Sequence, residues 1–163
     1  MSSTQRAAAL GELSRYFRIS SRSHHGLVFV AALAETANED RPVSIRSIAE
    51  DMGISDGYLE ELVGVLRVAG IVRGSRGRSG GYTLAKPAAQ ITVGEIMRLL
   101  DGPVVFAACQ DPTAATPCSA EGRCMTRPFF ARLKSAIDRE LDSTTLAELA
   151  GAHERVSAGE LPR

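Results

Sequence analysis

The sequence has no excess of charge of either sign and no long apolar segment, and each absence narrows the possible classes of protein. Its 163 residues carry 19 basic and 19 acidic side chains, so the formal net charge is zero. That balance argues against a polycation that coats nucleic acid and requires any basic surface to be local. No apolar run approaches the roughly 20 residues of a membrane span, and the start lacks the apolar segment of a signal peptide. We therefore expect a cytoplasmic protein without a membrane partner.

Catalytic signatures and internal repeats are also missing from the chain. It contains neither a Gly-x-x-x-x-Gly-Lys-Ser/Thr phosphate loop nor a paired-carboxylate motif. These absences favour a non-enzyme, with a thiol- or cluster-dependent enzyme as the alternative from another class. The chain has 44% apolar residues, enough for one good core with a smaller attached element.

The stretch from Ser44 to Gly70 has the pattern of two short amphipathic helices. Each carries apolar residues at the spacing of one helix face, namely Ile45, Ile48, Ala49 and Met52, then Leu59, Leu62, Val63 and Leu66. Ser44 and Ser55 are candidate N-caps, and Gly53 and Gly70 are candidate helix ends. Two such helices joined by a tight turn form a helix-turn-helix, whose second helix enters the DNA major groove.

A basic hairpin is predicted directly after the second helix. Ile71-Val72 and Tyr82-Thr83-Leu84 are short apolar runs separated by a glycine-rich segment. From Arg67 to Lys86 there are five basic residues and no acidic one. A charged hairpin alone is usually a solvated surface, but after a helix-turn-helix it is typical of a wing that contacts phosphates or a narrow minor groove. The arginines expected to contact DNA are Arg73, Arg76 and Arg78.

Helices are also predicted on both sides of this unit. An apolar helix begins near Ser23, a candidate N-cap, and His24 and His25 lie in its first turn, where the helix dipole disfavours a protonated imidazole. After the wing, Thr92 and Glu95 form a capping box for a helix that ends at Asp101.

All three cysteines lie in one proline-containing loop. Cys109, Cys118 and Cys124 are separated by eight and five residues. Thiolates gathered on one loop suit a soft metal or an iron–sulfur cluster. Because the tight Cys-x-x-Cys pairs of zinc ribbons are missing, structural zinc is a second choice. The remaining alternative is three unliganded thiols.

The C-terminal part is predicted to form a long helix and a short closing helix. Pro128 suits a first helical turn, and an apolar stripe follows, made of Phe129, Phe130, Leu133, Ile137 and Leu141. We interpret this helix as a dimerisation element, with packing against its own domain as the alternative. Thr145 and Glu148 form a capping box for a closing helix that ends at Ala150.

The predicted fold is mainly α, a winged helix-turn-helix with a small β-hairpin wing, a cysteine loop and a long C-terminal dimerisation helix. Its segments are an N-terminal extension (1–16), the DNA-binding domain (17–103) and the cysteine loop (104–126). Leu10 and Leu13 of the extension, with Phe17 after it, are predicted to line one side of a short helix. The two C-terminal helices (127–150) and a flexible tail (151–163) follow.

From about Phe17 to Ala150 the sequence resembles the Rrf2 family of bacterial regulators, whose best-known branches are IscR-like and NsrR-like. The motifs that carry the resemblance are Ser47-Ile48-Ala49-Glu50, Gly53-Ile54-Ser55, Tyr58-Leu59-Glu60, the run from Arg76 to Tyr82, the three-cysteine loop and Thr144-Thr145-Leu146-Ala147-Glu148-Leu149. The resemblance implies a homodimer that binds double-stranded DNA. It also implies a cluster, 2Fe–2S in preference to 4Fe–4S, held by the three cysteines, whose state changes DNA affinity.

The resemblance also assigns roles to individual residues. DNA-reading positions of the family fall on Ser55, Tyr58, Glu60 and Arg76, and a glutamate there can accept a hydrogen bond from a cytosine amino group. His24 falls where the NsrR-like branch carries an acidic ligand that reaches the cluster loop of the other subunit. We therefore expect His24 as the fourth ligand, with His25 as the substitute and Asp111 as the next candidate.

Three departures from the family pattern bear on these assignments. Gly57 stands where relatives often carry a small hydroxyl residue, and the gap from Cys109 to Cys118 is longer than usual. Arg127 stands where the IscR-like branch has a histidine ligand, so the fourth ligand must come from elsewhere. The sequence thus predicts a regulator that senses redox, nitric oxide or iron–sulfur status. A cluster-free regulator whose thiols respond to oxidation or to a small ligand is the alternative.

Overall fold

The computed structural model describes residues 19–37, 41–77, 80–111 and 122–157. These residues fall into two compact units. The larger unit contains residues 20–102 and 140–157, and the smaller contains residue 19, residues 103–111 and residues 122–139. The predicted N-terminal extension, Arg78 and Cys118 lie outside the described residues.

The larger unit is a winged helix built from short helices and one hairpin. Its elements are α1 (Ser21–Glu35), α2 (Ile45–Met52), α3 (Asp56–Val68), β1 (Val72–Ser75), β2 (Gly81–Leu84) and α4 (Val93–Asp101). The long helix α5 (Arg127–Ser143) starts in the smaller unit, and α6 (Leu146–Ser157) belongs to the larger one. Strands β1 and β2 pair antiparallel, with Val72 opposite Leu84 and Ser75 opposite Gly81. The predicted mainly helical winged fold is confirmed.

Local capping explains where α2 ends and where α3 begins and ends, whereas the side chain of Ser44, the predicted cap of α2, makes no capping hydrogen bond. The Ser55 hydroxyl accepts a hydrogen bond from the Tyr58 backbone N–H at 3.3 Å and so caps α3. Gly53 ends α2 with φ 64°, a left-handed conformation that glycine adopts without steric cost. Gly70 does the same after α3 with φ 71°. The predicted two-helix unit is therefore confirmed.

The start of α1 differs from the prediction. The N-cap is Ser20, whose hydroxyl accepts from the Ser23 backbone N–H, so Ser23 is a helical residue and not the cap. The reason lies in α4, because the Asp101 carboxylate accepts hydrogen bonds from both the Ser20 and the Ser23 hydroxyls. Ser23 is fully buried. This acceptor favours a helix that begins earlier than the apolar pattern indicates.

The closing helix departs further from the prediction than α1 does. The closing helix α6 continues to Ser157, so its predicted end at Ala150 and a flexible tail from residue 151 are wrong for residues 151–157. The predicted capping box at Thr145 and Glu148 is confirmed, since each residue's backbone N–H is bonded to the other's side chain. Leu146 is fully buried, and its N–H donates to the Ile91 carbonyl at 2.9 Å. The start of this helix is thus part of the core of the larger unit.

That core takes apolar residues from every helix of the larger unit and from the start of the wing. Its members with no exposed surface are Phe29, Val30, Ala49, Leu59, Leu62, Leu66, Ile71, Ile91, Ile96 and Leu146. Gly26 allows close packing of α1 on α4, because a Cβ atom there would lie 2.2 Å from Leu100 Cδ1. The core thereby fixes α1 beside the helix-turn-helix.

Candidate nucleic-acid interface and cysteine segment

The exposed start of α3 carries three of the residues that the sequence predicted to read DNA. Its apolar face is buried in the core, which leaves Ser55 and Glu60 exposed and Tyr58 half-buried. Ser55 uses its hydroxyl oxygen as the helix cap. Glu60 presents a carboxylate, and Tyr58 presents a phenol hydroxyl. Both are side chains that can contact base edges in a major groove.

Two contacts from α1 reach the same helix. Nδ1 of His25 lies 3.4 Å from the Tyr58 hydroxyl, and the two rings meet edge to face with centroids 5.6 Å apart. Arg22 Nη1 lies 3.0 Å from Glu61 Oε1. Nothing in the sequence indicated the His25–Tyr58 contact, because the two residues are far apart in the chain and no periodic pattern links them.

The wing presents cationic side chains on a short hairpin. Arg73 is exposed on β1, and its Nε donates to the Thr83 hydroxyl at 3.0 Å, across the strand pair in which these residues are opposite. Arg76 is exposed where the turn begins. Gly77 follows with φ 120°, and its carbonyl accepts from the Gly80 N–H at 3.0 Å. Arg76 therefore projects from a tight glycine turn, as a residue that contacts a phosphate or a minor groove must.

The base of the wing is tied to the chain segment before α2. Val43 and Tyr82 exchange two backbone hydrogen bonds of 2.9 Å, which form an isolated antiparallel β-bridge beside β2. This approach requires glycine at the neighbouring position, because a Cβ atom on Gly81 would lie 2.5 Å from the Val43 carbonyl oxygen. In the sequence Gly81 is only one residue of a glycine-rich run, and that pattern does not reveal the contact with Val43.

The described cysteines are Cys109 and Cys124, both half-buried and both in the smaller unit. Cys109 lies in a 3₁₀ turn (Ala108–Gln110), where the sequence predicted no regular structure. This turn is closed by the Gln110 N–H, which donates to the Ala107 carbonyl, and the Gln110 side chain accepts from the Phe106 N–H. The glutamine thus orders the backbone around Cys109.

Cys124 lies just before α5, in surroundings that favour its thiolate form. Its Sγ is 3.3 Å from the Thr126 hydroxyl. The pKa of the Cys124 thiol is lowered by that hydroxyl, by the backbone N–H groups of Thr126 and Arg127, and by the Arg127 charge. Thiolates are both the metal-binding and the nucleophilic form of cysteine. The chemistry of this sulfur therefore suits ligation to iron and reaction with oxidants alike.

The residues that the structure describes include only part of the predicted ligand set. In the described ranges, no three His, Cys, Asp or Glu side chains gather as a metal site would require. Cys118 is outside those ranges. His24 is exposed on the first turn of α1, with its ring centroid 5.5 Å from that of His25. The ligand roles of Cys109, Cys118, Cys124, His24, His25 and Asp111 stay predictions.

Helix α5 leaves its apolar stripe accessible. None of its residues is buried, and Phe129, in edge contact with Phe130, is 54% exposed. Such a stripe of large apolar residues is typical of a protein interface. Of the helices that the structure describes, none has both the length and the apolar character to cross a membrane.

Comparison with protein families gives one match that covers most of the chain. The Rrf2 family, described as an iron-dependent transcriptional regulator, matches residues 19–152. The matched region contains the winged helix, the three cysteines and the long helix α5.

Named relatives agree with this match. The HTH-type transcriptional regulator CymR of Bacillus subtilis is 37% identical over 133 residues, which cover 82% of this chain and 89% of CymR. IscR of Yersinia pseudotuberculosis, also an HTH-type transcriptional regulator, is 36% identical over 134 residues, or 81% of this chain and 78% of IscR.

Solved structures show the same likeness in three dimensions. The structure of CymR, called the global cysteine regulator of B. subtilis, superposes with a TM-score of 0.68 at 36% identity and covers 83% of this chain and 98% of its own. An oxidized form of Staphylococcus aureus CymR superposes with a TM-score of 0.65 at 37% identity, with coverages of 82% and 96%.

Proposed function

Because the chain belongs to the Rrf2 family of transcriptional regulators, we propose that it binds an operator as a homodimer and senses redox, nitric oxide or iron–sulfur status through its three cysteines. The named relatives are transcriptional regulators, so the prediction that the chain is not an enzyme is confirmed. The observation that carries the DNA-binding proposal is the exposed polar start of α3, whose apolar face is buried, followed at once by a wing with exposed arginines.

In this proposal the two elements have different tasks. Ser55, Tyr58 and Glu60 read base edges in the major groove, and Glu60 accepts from a cytosine amino group. Arg73, Arg76 and Arg78 contact phosphates or the minor groove, which adds affinity and sets the register. A locally basic wing on a chain of zero net charge supports directed rather than general binding.

Selection of duplexes from a randomised pool tests the DNA proposal. The wild-type protein should enrich one motif with the two-fold symmetry of a dimer. Glu60→Ala should relax the preference at one base pair per half-site, since one contact to a base edge is worth about 1–3 kcal/mol. Glu50→Ala, at an exposed residue of α2 paired with Arg46, is the matched carboxylate control. A wild-type protein that enriches no motif contradicts the proposal.

The described donors fit an iron–sulfur cluster in their chemistry. The lowered pKa of the Cys124 thiol favours the ionised ligand that iron requires, and Cys109 and Cys124 are both partly exposed in one unit. Cys109, Cys118 and Cys124 would hold the cluster, 2Fe–2S in preference to 4Fe–4S. When bound, it would supply a redox change or a reaction with nitric oxide.

His24 is the fourth ligand in this proposal. It is exposed at the start of α1, whereas His25 already has its Nδ1 beside the Tyr58 hydroxyl. This difference supports His24 over His25, and Asp111 is the remaining candidate. A neutral imidazole is a competent iron ligand.

A second candidate function is a cluster-free regulator whose thiols respond to oxidation. It is supported by the acidified Cys124 thiol and by the likeness to CymR, whose structures are called those of a cysteine regulator and of an oxidized form. Anaerobic purification with quantified iron and sulfide separates the two candidates. A coloured protein whose visible and paramagnetic spectra shift on His24→Ala supports the cluster with that ligand. A colourless protein with stoichiometric free thiols supports the thiol mechanism.

The homodimer is proposed to form through the apolar stripe of α5. Phe129→Glu places a charge on an exposed phenylalanine of that stripe and should shift the protein to a monomer in light scattering. Arg132→Glu, on the polar side of the same helix and also exposed, is the control and should stay dimeric. Two variants with the same dimeric mass would contradict this assignment.

A further inference from the structure

We infer that His25 is a positioning residue for DNA recognition, because its imidazole holds the Tyr58 phenol at the exposed end of α3. This inference rests on the proposed DNA-reading role of α3. The His25 Nδ1 lies 3.4 Å from the Tyr58 hydroxyl oxygen, and the rings are nearly perpendicular, at 86°. Both side chains are half-buried, so the contact is partly shielded from water.

The contact matters because a phenol hydroxyl can act as a hydrogen-bond donor or acceptor, and rotation about its C–O bond changes where the proton points. It can donate one hydrogen bond and accept others. When Nδ1 accepts the phenol proton, the oxygen offers DNA only lone pairs, which match the amino groups of adenine and cytosine. When Nδ1 donates, the phenol proton points outward, toward acceptors such as phosphate or purine N7. The tautomer of His25 therefore sets which partner Tyr58 selects.

The backbone around each of the two residues, Tyr58 on α3 and His25 on α1, is fixed by other hydrogen bonds. On α3, the Tyr58 N–H is bonded to the Ser55 cap at 3.3 Å. On α1, Asp101 fixes the first turn through the hydroxyls of Ser20 and Ser23. A recognition group whose support is itself fixed loses little freedom on binding, which favours both affinity and selectivity.

A double-mutant cycle on DNA affinity tests the inference, with a duplex that the wild-type protein selects from a randomised pool as the probe. His25→Ala should weaken binding by about three- to tenfold, the range expected for one net hydrogen bond. In a Tyr58→Phe background, which lacks the hydroxyl, the same change should have no effect. His25→Gln, which keeps a donor and an acceptor near the phenol, should recover most of the affinity.

Arg22→Gln is the matched control, because it removes another polar link between α1 and α3, the pair with Glu61. Its effect on affinity should be the same in the wild-type and Tyr58→Phe backgrounds. An equal His25→Ala penalty in both backgrounds would overturn the inference, as would a changed visible spectrum, which would make His25 a cluster ligand instead. If the wild-type protein selects no duplex, the proposed function itself fails and this inference falls with it.

Discussion

Replacing Gly81 by alanine should detach the wing from the chain segment before α2. The added Cβ would lie 2.5 Å from the Val43 carbonyl oxygen and 2.8 Å from its carbonyl carbon. These are backbone atoms, which cannot rotate away as a side chain can. The clash is relieved only if β2 moves from Val43, and that movement breaks the two backbone hydrogen bonds between Val43 and Tyr82.

The expected loss follows from those two bonds. At about 1 kcal/mol each, the two hydrogen bonds contribute roughly 2 kcal/mol to the free energy of unfolding. If the backbone does not move, the overpacked site instead lowers that free energy by about 1–3 kcal/mol. Since 1 kcal/mol shifts the Tm of a chain of this size by about 2–4 °C, we expect the Tm to fall by roughly 4–8 °C. Circular dichroism measures this fall directly.

DNA affinity should fall as well, because the movement of β2 displaces Arg76, which lies in the turn of the same hairpin. We expect roughly a tenfold loss, equivalent to about 1.4 kcal/mol, on a selected duplex. Gly74→Ala is the control in the same hairpin, since its Cβ would meet only the Tyr82 ring, with Cε1 nearest at 3.4 Å, an ordinary contact. It should change stability by less than about 0.5 kcal/mol. Equal Tm values and equal affinities for the two variants would refute the reasoning.

Three further predictions concern the wing tip and the thiols. Arg76→Ala should leave the Tm unchanged, and if the contact is to a phosphate it should reduce the log–log salt slope of DNA binding by about one unit; an unchanged affinity at every salt concentration removes Arg76 from the interface. Serine at Cys109, Cys118 or Cys124 should bleach most of the visible absorbance, and colour that survives the Cys118 change would show that this residue is not a ligand. In a variant that keeps Cys124 and has serine at Cys109 and Cys118, the alkylation rate of the Cys124 thiol should rise with pH. The midpoint of that rise should lie below the usual thiol pKa of about 8.5, because the pKa of this thiol is lowered. Thr126→Val removes the hydroxyl and should raise that midpoint, which slows alkylation at neutral pH and leaves the high-pH rate unchanged.

The helix-turn-helix was predictable because its determinants are local. Ser55, Gly53 and Gly70 act within one turn of their own positions, and the apolar spacing of α2 and α3 needs no distant partner. The antiparallel pairing of β1 and β2 follows from two short apolar runs joined by glycines. For such elements the sequence pattern and the folded structure depend on the same short-range interactions.

What escaped prediction depends on contacts between distant parts of the chain. The cap of α1 at Ser20 depends on Asp101 in α4, and the start of α6 is held by the hydrogen bond from the Leu146 N–H to the Ile91 carbonyl. The requirement for glycine at position 81 comes from Val43. No window of sequence contains both partners of any of these contacts, so periodicity and capping rules could not find them.

Helix α1 carries both His24, the proposed fourth ligand, and His25, which contacts the predicted reading helix α3. Its first turn is fixed by Asp101 and carries exposed His24 next to His25. His25 in turn contacts Tyr58 in the predicted reading helix. If His24 ligates the cluster, a change in that ligation acts on the residue directly before the one that orients Tyr58. His24→Ala should therefore reduce the difference in DNA affinity between the oxidised and reduced forms of the protein. The affinity of the cluster-free protein should stay the same, because the His25–Tyr58 contact does not depend on His24. A His24→Ala variant with the full redox difference would show that the signal reaches α3 by another path.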